Sequence, residues 1–354
     1  MSPQSSPHPL TAALEAVAQG RALSAAEAEA AFDSFMDGSA SEVQMAGLLV
    51  GLRAKGIAPA EVAGGVRALR KAMRPVPVRS PAGLVDTAGT GGGSVTTFNI
   101  STAAALVVAG AGVPVAKHGN RSFTSRCGSA DVLEALDVCI ELTPESMARV
   151  LDEAGIVFMF APLLHPAMRH VGPVRKALGI TTIMNILGPL TNPAGAKRQV
   201  VGVADPALLD LIPDALAELG HVHALVVHGA PGLDEVSPAG TTRVAELREG
   251  TVRRYEIEPS DLGLEPVALD DIAGADPAEN ARLIEGVLAG KDGGARSAVV
   301  ANAAAALLVA GVAESGAQGA RLAETTLDEG GGADALERLR EASARAGAAP
   351  NTSG

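Results

Sequence analysis

The run Asp86-Thr87-Ala88-Gly89-Thr90-Gly91-Gly92-Gly93-Ser94 constrains this chain more than any other stretch. Two apolar residues, Leu84 and Val85, feed a loop with four glycines in five positions. Glycine admits positive φ and lets a bulky anion approach the backbone amides closely. Thr90, Ser101 and Thr102 bring hydroxyls, and a helix opens near Asn99. A helix N-terminus that follows a glycine-rich turn is a ready anion site. Further on, Lys117, His118, Asn120 and Arg121 place donors and positive charge around Gly119. The pattern points to a ligand carrying several phosphates. It is not a dinucleotide fingerprint, because Ser94 stands in the third glycine slot, and not a Walker loop, because no lysine follows the glycines. The competing reading is a strand-to-helix turn without a ligand. The second glycine flanked by polar groups, at 117–121, speaks against it.

The rest of the chain falls into two kinds of pattern. Residues 10–73 read as helices. Ser24 with Glu27, and Ser39 with Glu42, have capping-box spacing. Pro75-Val76-Pro77 reads as a linker, so a first domain is expected to end near residue 80. From Leu84 on, short β-branched runs alternate with helical stretches. Strands are expected at 83–87, 113–117, 156–160, 199–203 and 223–228, and helices at 100–111, 144–154 and 206–219. Thr143 before Pro144, and Asp205 before Pro206, place a capping side chain ahead of a proline at the first helical position. The alternation predicts an α/β domain with a mostly parallel sheet. The stretch 243–258 alternates around Glu249-Gly250 and predicts a β-hairpin, while Asp276-Pro277-Ala278-Glu279 opens another helix. Helices then run on, broken at Gly330-Gly331-Gly332. The proline-containing stretch 165–193, with a helical piece at 173–178, interrupts the α/β pattern. Residues 1–9 and 347–354 read as a disordered tail and a frayed tail.

The chain has 354 residues, which calls for two domains or a large one with a small companion. Hydrophobic residues make up 47% but aromatic ones only 2%, so Ala, Val and Leu must fill the interior. The net charge of −12 argues against nonspecific nucleic-acid binding, which depends on neutralising phosphates. A phosphate site here must rely on a few local cations and backbone amides. Cys127 and Cys139 have no metal-ligand spacing and read as free thiols of a reducing cytosol. No apolar run reaches the roughly 18 residues of a membrane span. The first nine residues have neither a basic nor an apolar signal region.

Several motifs, in order, carry a family resemblance. They are Gly89-Thr90-Gly91-Gly92, Asn99-Ile100-Ser101-Thr102, Lys117-His118-Gly119-Asn120-Arg121 and Gly128-Ser129-Ala130-Asp131. Downstream follow His165-Pro166-Ala167-Met168, Val174-Arg175, Asn185-Ile186-Leu187-Gly188-Pro189-Leu190-Thr191-Asn192-Pro193 and Gly232-Leu233-Asp234-Glu235-Val236-Ser237. Across residues 10–345 the chain resembles the anthranilate phosphoribosyltransferases of tryptophan biosynthesis. The resemblance implies a small all-helical domain at 10–80, to which 165–193 returns as hinge and helices. It implies a large α/β domain at 81–164 and 194–346, with the ligand between the two. It further implies Mg²⁺ as cofactor, a cytoplasmic homodimer joined through the helical domain, and no nucleic-acid or membrane partner. One position departs from the family: Gly93 stands where an Asp usually lies near the pyrophosphate and its magnesium. Activity is therefore expected to peak at low Mg²⁺ and to depend less on metal rearrangement.

By the same resemblance, phosphoribosyl pyrophosphate is held by Gly89, Thr90, Gly92, Gly93, Thr97, Asn99, Ile100, Ser101 and Thr102. Lys117, His118, Gly119, Asn120, Arg121, Ser122, Ser125 and Ser129 complete that site. Anthranilate falls to Gly89, Asn120, Arg175, His118 and His165, with the Arg175 guanidinium matched to its carboxylate. Mg²⁺ is expected on Ser101, Asp234 and Glu235, since this ion takes one or two carboxylates plus water and phosphate oxygens. Read by spacing alone, adjacent acids on a loop are more often just solvated groups. Ser129 either touches the phosphoribosyl group or caps the helix behind it. His118 and His165 either line the aromatic pocket or are structural. No residue is assigned as general base, because the nucleophile is already a neutral amine; His118 is the one candidate. Two other readings share the scaffold. A pyrimidine nucleoside phosphorylase has no need of the Asp234-Glu235 pair. A non-catalytic nucleic-acid-binding relative would need a basic groove, which the net charge opposes.

Overall fold

The computed structural model of the protein describes residues 8–122 and 126–348. Four helices open it: α1 (Pro9–Ala18), α2 (Ala25–Met36), α3 (Glu42–Lys55) and α4 (Pro59–Ala72). The first half of the sheet domain contains β1 (Val85–Asp86), α5 (Ile100–Gly110), β2 (Val115–Gly119), α6 (Ser129–Ala135), α7 (Pro144–Ala154) and β3 (Ile156–Phe160). Three helices interrupt it, α8 (Ala161–Leu164), α9 (Met168–Leu178) and α10 (Met184–Leu187). The sheet resumes with β4 (Arg198–Gly202), α11 (Leu208–Glu218), β5 (His223–Gly229), β6 (Thr242–Arg248) and β7 (Thr251–Ile257). Last come α12 (Pro277–Leu288), α13 (Gly294–Ala310), α14 (Gly316–Asp328) and α15 (Gly331–Ala348).

The seven strands form one sheet in the order β3-β2-β1-β4-β5-β6-β7, parallel as far as β5 and antiparallel after it. Both faces of β4–β6 are buried, and alternate side chains serve different cores. Val200, Leu225, Val227 and Val244 enter the core under α5, α13 and α15. Val201, Val203, Ala224, Val226, Ala245 and Leu247 enter the other core, with α11. That second core continues into the helical bundle, where Phe32 and Phe35 meet edge to face at 5.1 Å. The bundle is thus seated on the α11 side of the sheet. The hairpin turns at Glu249 and Gly250, both at positive φ, 50° and 80°, the backbone a tight two-residue turn demands.

Caps and breaks follow the sequence in most places. Ser24 and Glu27 cap α2 reciprocally, Thr143 caps α7 and Asp276 caps α12. Three details differ. The box expected at Ser39 and Glu42 sits at Ser41 and Gln44, because Ser39 is drawn into the preceding turn by its N–H bond to Asp37. Helix α11 begins at Leu208, not Pro206, because Asp205 closes a turn onto the Ala207 amide. Helix α9 begins at Met168, ahead of Pro173. Its first turn is tightened by i→i−3 bonds at Met168, Arg169 and His170. The proline-rich linker is tethered rather than free. Arg74 N–H donates to the Leu164 carbonyl at 2.8 Å and Val76 N–H to Pro193 at 3.0 Å.

One buried ion pair ties the bundle together. The Glu61 carboxylate accepts from Leu23 N–H, Ala58 N–H and Lys55 Nζ, each at 2.8 Å. The two side chains are 0% and 7% exposed. Removing one partner of such a pair leaves a buried, uncompensated charge. Glu61→Gln is expected to lower stability by about 3 kcal/mol in denaturant unfolding, with Lys55 left unpaired.

Candidate functional site

Strand order reverses between β1 and β4, and ligands of open parallel sheets bind at the carboxyl ends of the strands there. Three loops leave that edge and touch backbone to backbone. A Cβ on Gly202, the last residue of β4, would lie 1.7 Å from the Asp234 carbonyl oxygen. A Cβ on Gly89 would lie 3.0 Å from the Gly202 carbonyl oxygen. Thr90 N–H donates to that same carbonyl at 2.8 Å, and Ser94 N–H donates to Gly232 at 3.1 Å. Gly91 and Gly92 adopt left-handed φ of 69° and 84°, and a Cβ on either would meet nothing. The tip of the loop therefore faces open space, as an anion cradle must.

Under the loop lies a charged cluster. Lys117, on β2, is buried, and its Nζ donates to the Thr87 carbonyl, Thr87 Oγ1 and Ser101 Oγ at 3.1, 3.1 and 3.3 Å. Burial lowers its proton affinity, and the nearby Asp86 and Glu235 carboxylates oppose that. Glu235 Oε1 accepts from Ser101 N–H at 3.2 Å. Burial and the neighbouring Asp234 carboxylate push Glu235 above the ordinary carboxylate range, and burial does the same to Asp234. Two adjacent, mostly buried acids with so few donors suit a divalent cation. Among the described residues no group of three or more His, Cys, Asp or Glu could hold a metal ion. The donor set therefore fits an ion completed by phosphate and water oxygens rather than a protein-only cage.

A second cluster lies beside it. His118 Nε2 and His165 Nε2 are 3.2 Å apart, so one ring donates and the other accepts. Burial lowers the two rings to about 3 and about 4, which leaves both neutral at pH 7. Neither can then supply the charge to bind a carboxylate. Arg175, on α9, can: it is mostly buried, and its guanidinium makes no ion pair or hydrogen bond among the described residues.

The other expected residues separate. Thr97 bridges to Ala273, which ties the loop to the segment before α12. Ile100 and Thr102 face the core on α5, so only their backbone can address a ligand. Asn120 Oδ1 accepts from Arg121 N–H at 2.7 Å. Ser129 Oγ donates to the Asn120 carbonyl at 3.2 Å, while Asp131 takes Gly128 N–H at 2.8 Å at the start of α6. Ser122 N–H also reaches Asp131. The Arg121 guanidinium is held by Asp131 at 2.8 Å and Glu134 at 2.5 Å, above the Phe160 ring. Ser125 lies outside the described residues.

Three supporting residues escaped the sequence reading. Asp86 is fully buried on β1, accepts from Asn192 Nδ2 at 2.8 Å and His118 N–H at 3.2 Å, and is raised to about 6 by burial. Asn192 also donates to the Ala116 carbonyl at 2.9 Å, stitching the 185–193 segment to the sheet. Asn302 on α13 bonds Val236 twice, accepting from its N–H at 2.8 Å and donating to its carbonyl at 3.0 Å. That clamp fixes the residue beside Glu235. Its one sequence signal is a single polar residue inside the alanine-rich apolar stretch 298–310.

Comparison with known proteins gives a consistent result. Residues 81–333 match the a/b domain of a glycosyl transferase family, and residues 11–73 match that family's helical bundle domain. The anthranilate phosphoribosyltransferase of Rubrobacter xylanophilus is 52% identical over 338 residues, covering 95% of this chain and 98% of that protein. The enzyme of the same name from Thermomicrobium roseum is 51% identical over 330 residues, covering 92% and 95%. Among solved structures, that of Thermus thermophilus superposes with a TM-score of 0.89 at 43% identity, over 94% of this chain and 99% of that one. The Saccharomyces cerevisiae enzyme in complex with PRPP and Mg superposes with a TM-score of 0.86 at 26% identity, over 96% and 99%.

A Cβ on Gly93 would lie 3.0 Å from Asp234 Oδ1 and 3.1 Å from the Gly232 carbonyl oxygen. Gly93→Asp therefore adds a third carboxylate to the pair at 234–235. We expect it to make pyrophosphate binding more steeply dependent on Mg²⁺, by about threefold in the ratio of affinities at high and low metal. Calorimetric titration of both forms with pyrophosphate at two Mg²⁺ concentrations reads that ratio.

Proposed function

The chain belongs to the anthranilate phosphoribosyltransferases, which join the phosphoribosyl group of phosphoribosyl pyrophosphate to the amine of anthranilate, and from that premise we propose which of its residues do the work. The observation that carries the assignment is the meeting of the glycine loop, the Lys117–Ser101–Glu235 cluster and Asp234 at one sheet edge. The loop amides around Gly91 and Gly92 receive pyrophosphate oxygens. Lys117 supplies a fixed positive charge beneath them. Asn99, Asn120 and the start of α6 take the ribose and its 5-phosphate. Ser101, Asp234 and Glu235 are the residues that would hold Mg²⁺. When bound, that ion neutralises charge on the departing pyrophosphate.

The reaction breaks the bond between ribose C1 and pyrophosphate through a state with oxocarbenium character. Positioning and electrostatics supply most of what such a step needs. The incoming aniline nitrogen is neutral, so no strong base is required of the site. That agrees with two buried, neutral histidines. His118 and His165 form an apolar-edged wall for the aromatic ring, and Arg175 binds the carboxylate in bidentate fashion. A homodimer through the helical bundle is supported by Val43 and Val50 on α3, 82% and 40% exposed and seven residues apart on one helix face. No described helix is long and apolar enough to cross a membrane.

The test is anthranilate fluorescence decay with phosphoribosyl pyrophosphate and Mg²⁺. No decay above background would overturn the reading. Arg175→Ala is expected to raise the anthranilate KM by about thirtyfold or more, the loss of a charge-assisted contact of about 2–3 kcal/mol. The phosphoribosyl pyrophosphate KM should stay near its original value, and equal effects on both would refute the role given to Arg175.

A further inference from the structure

Asn99 occupies the N-cap of α5, yet its side chain caps nothing. An asparagine there ordinarily spends its oxygen on the first free helical N–H groups. Here that oxygen is taken elsewhere. Asn99 Oδ1 accepts from Asn280 Nδ2 at 3.0 Å and from the Cys127 thiol at 3.2 Å. Asn99 Nδ2 donates to the Cys127 carbonyl at 3.2 Å. Asn280, on α12, is 2% exposed, and its own oxygen accepts from Ala275 N–H at 2.8 Å.

The orientation of both amides follows from the fixed backbone groups at the two ends. Ala275 N–H can only donate, so Asn280 must turn its oxygen there and its nitrogen toward Asn99. The Cys127 carbonyl can only accept, so Asn99 must turn its nitrogen there and its oxygen toward Asn280. The chain of bonds has one consistent polarity. It leaves the second N–H of the Asn99 amide without a partner among the described residues. The loop before α12 is itself pinned to the site. Phe98 N–H donates to Ile272 at 3.1 Å and Gly274 N–H to Thr96 at 3.0 Å. A Cβ on Gly274 would lie 2.2 Å from the Thr97 carbonyl oxygen, so these backbones are in direct contact.

We propose that Asn280 is a positioning residue for phosphoribosyl pyrophosphate: together with the Cys127 carbonyl it holds the polarity of the Asn99 amide, so that Asn99 offers the substrate an N–H. The inference rests on the placement of Asn99 in the phosphoribosyl pyrophosphate site. It assigns a binding task to the C-terminal helices, which supply no residue to the site directly.

The discriminating pair of variants is Asn280→Asp and Asn280→Ala, with Asn99→Ala as control. Asp keeps the shape and the bond to Ala275 but presents an acceptor to the Asn99 acceptor, so it works against the orientation that the Cys127 carbonyl favours. Ala removes the donor without opposing that orientation. Asn280→Asp should raise the phosphoribosyl pyrophosphate KM about tenfold, and Asn280→Ala about threefold, with kcat and the anthranilate KM little changed. A purely structural asparagine gives the opposite order, because Ala loses both bonds and the packing. That order overturns the proposal, as does an unchanged KM in Asn280→Ala, whether or not the Asp variant folds. If Asn99→Ala leaves the KM unchanged, the placement of Asn99 fails instead.

Discussion

Everything at this site depends on one close contact of backbones. Gly202, at the end of β4, lies against Asp234 so tightly that a Cβ would overlap its carbonyl, and Gly89 lies against Gly202 on the other side. Three loops from three parallel strands are thereby fused into one surface. The consequence is electrostatic. Asp234 and Glu235 are carried under the glycine loop, beside Lys117 and Ser101, where water cannot solvate them fully. Two carboxylates in such a place call for a cation, and the open loop tip above them calls for an anion. The pairing of these needs explains why a chain of net charge −12 can still take up a polyphosphate.

The surrounding structure serves to hold that surface still. Asp86 and Asn192 lock β1, β2 and the 185–193 segment together. Asn302 clamps Val236 from α13, as Asn280 holds Asn99 from α12. Each is a buried polar side chain with its partners satisfied, the condition under which such groups add order rather than cost. The side proposed for anthranilate is built differently. Its histidines are neutral by burial, and the Arg175 guanidinium, without an ion pair among the described residues, is carried on α9 in the segment between the two halves of the sheet.

Much of this could be read from the residues themselves. The short β-branched runs gave the strands because buried parallel strands need continuous apolar side chains. The hairpin at Glu249-Gly250 was legible because positive φ at two successive positions selects few residues. The Ser39 box and the Pro206 start misled because capping spacing is a local signal, and neighbouring turns at Asp37 and Asp205 competed for the same groups. Arg121 looked like a phosphate ligand by its motif. Its guanidinium is held by Asp131 and Glu134, partners ten and thirteen residues away that no local pattern connects to it. Asp86, Asn280 and Asn302 were hidden for the same reason. Their partners lie across the fold, and a lone polar residue in an apolar stretch does not announce which backbone group it will meet.

The central claim is that the carboxylates at 234 and 235 are brought together for a cation that carries the pyrophosphate. The direct measurement is calorimetric binding of phosphoribosyl pyrophosphate, with and without Mg²⁺, to the wild type and to the Asp234→Asn, Glu235→Gln double variant. The account predicts that Mg²⁺ strengthens binding to the wild type and ceases to do so in the variant, whose melting temperature is unchanged or higher once the repelling charges are gone. A variant that folds and gains as much from Mg²⁺ as the wild type would contradict it.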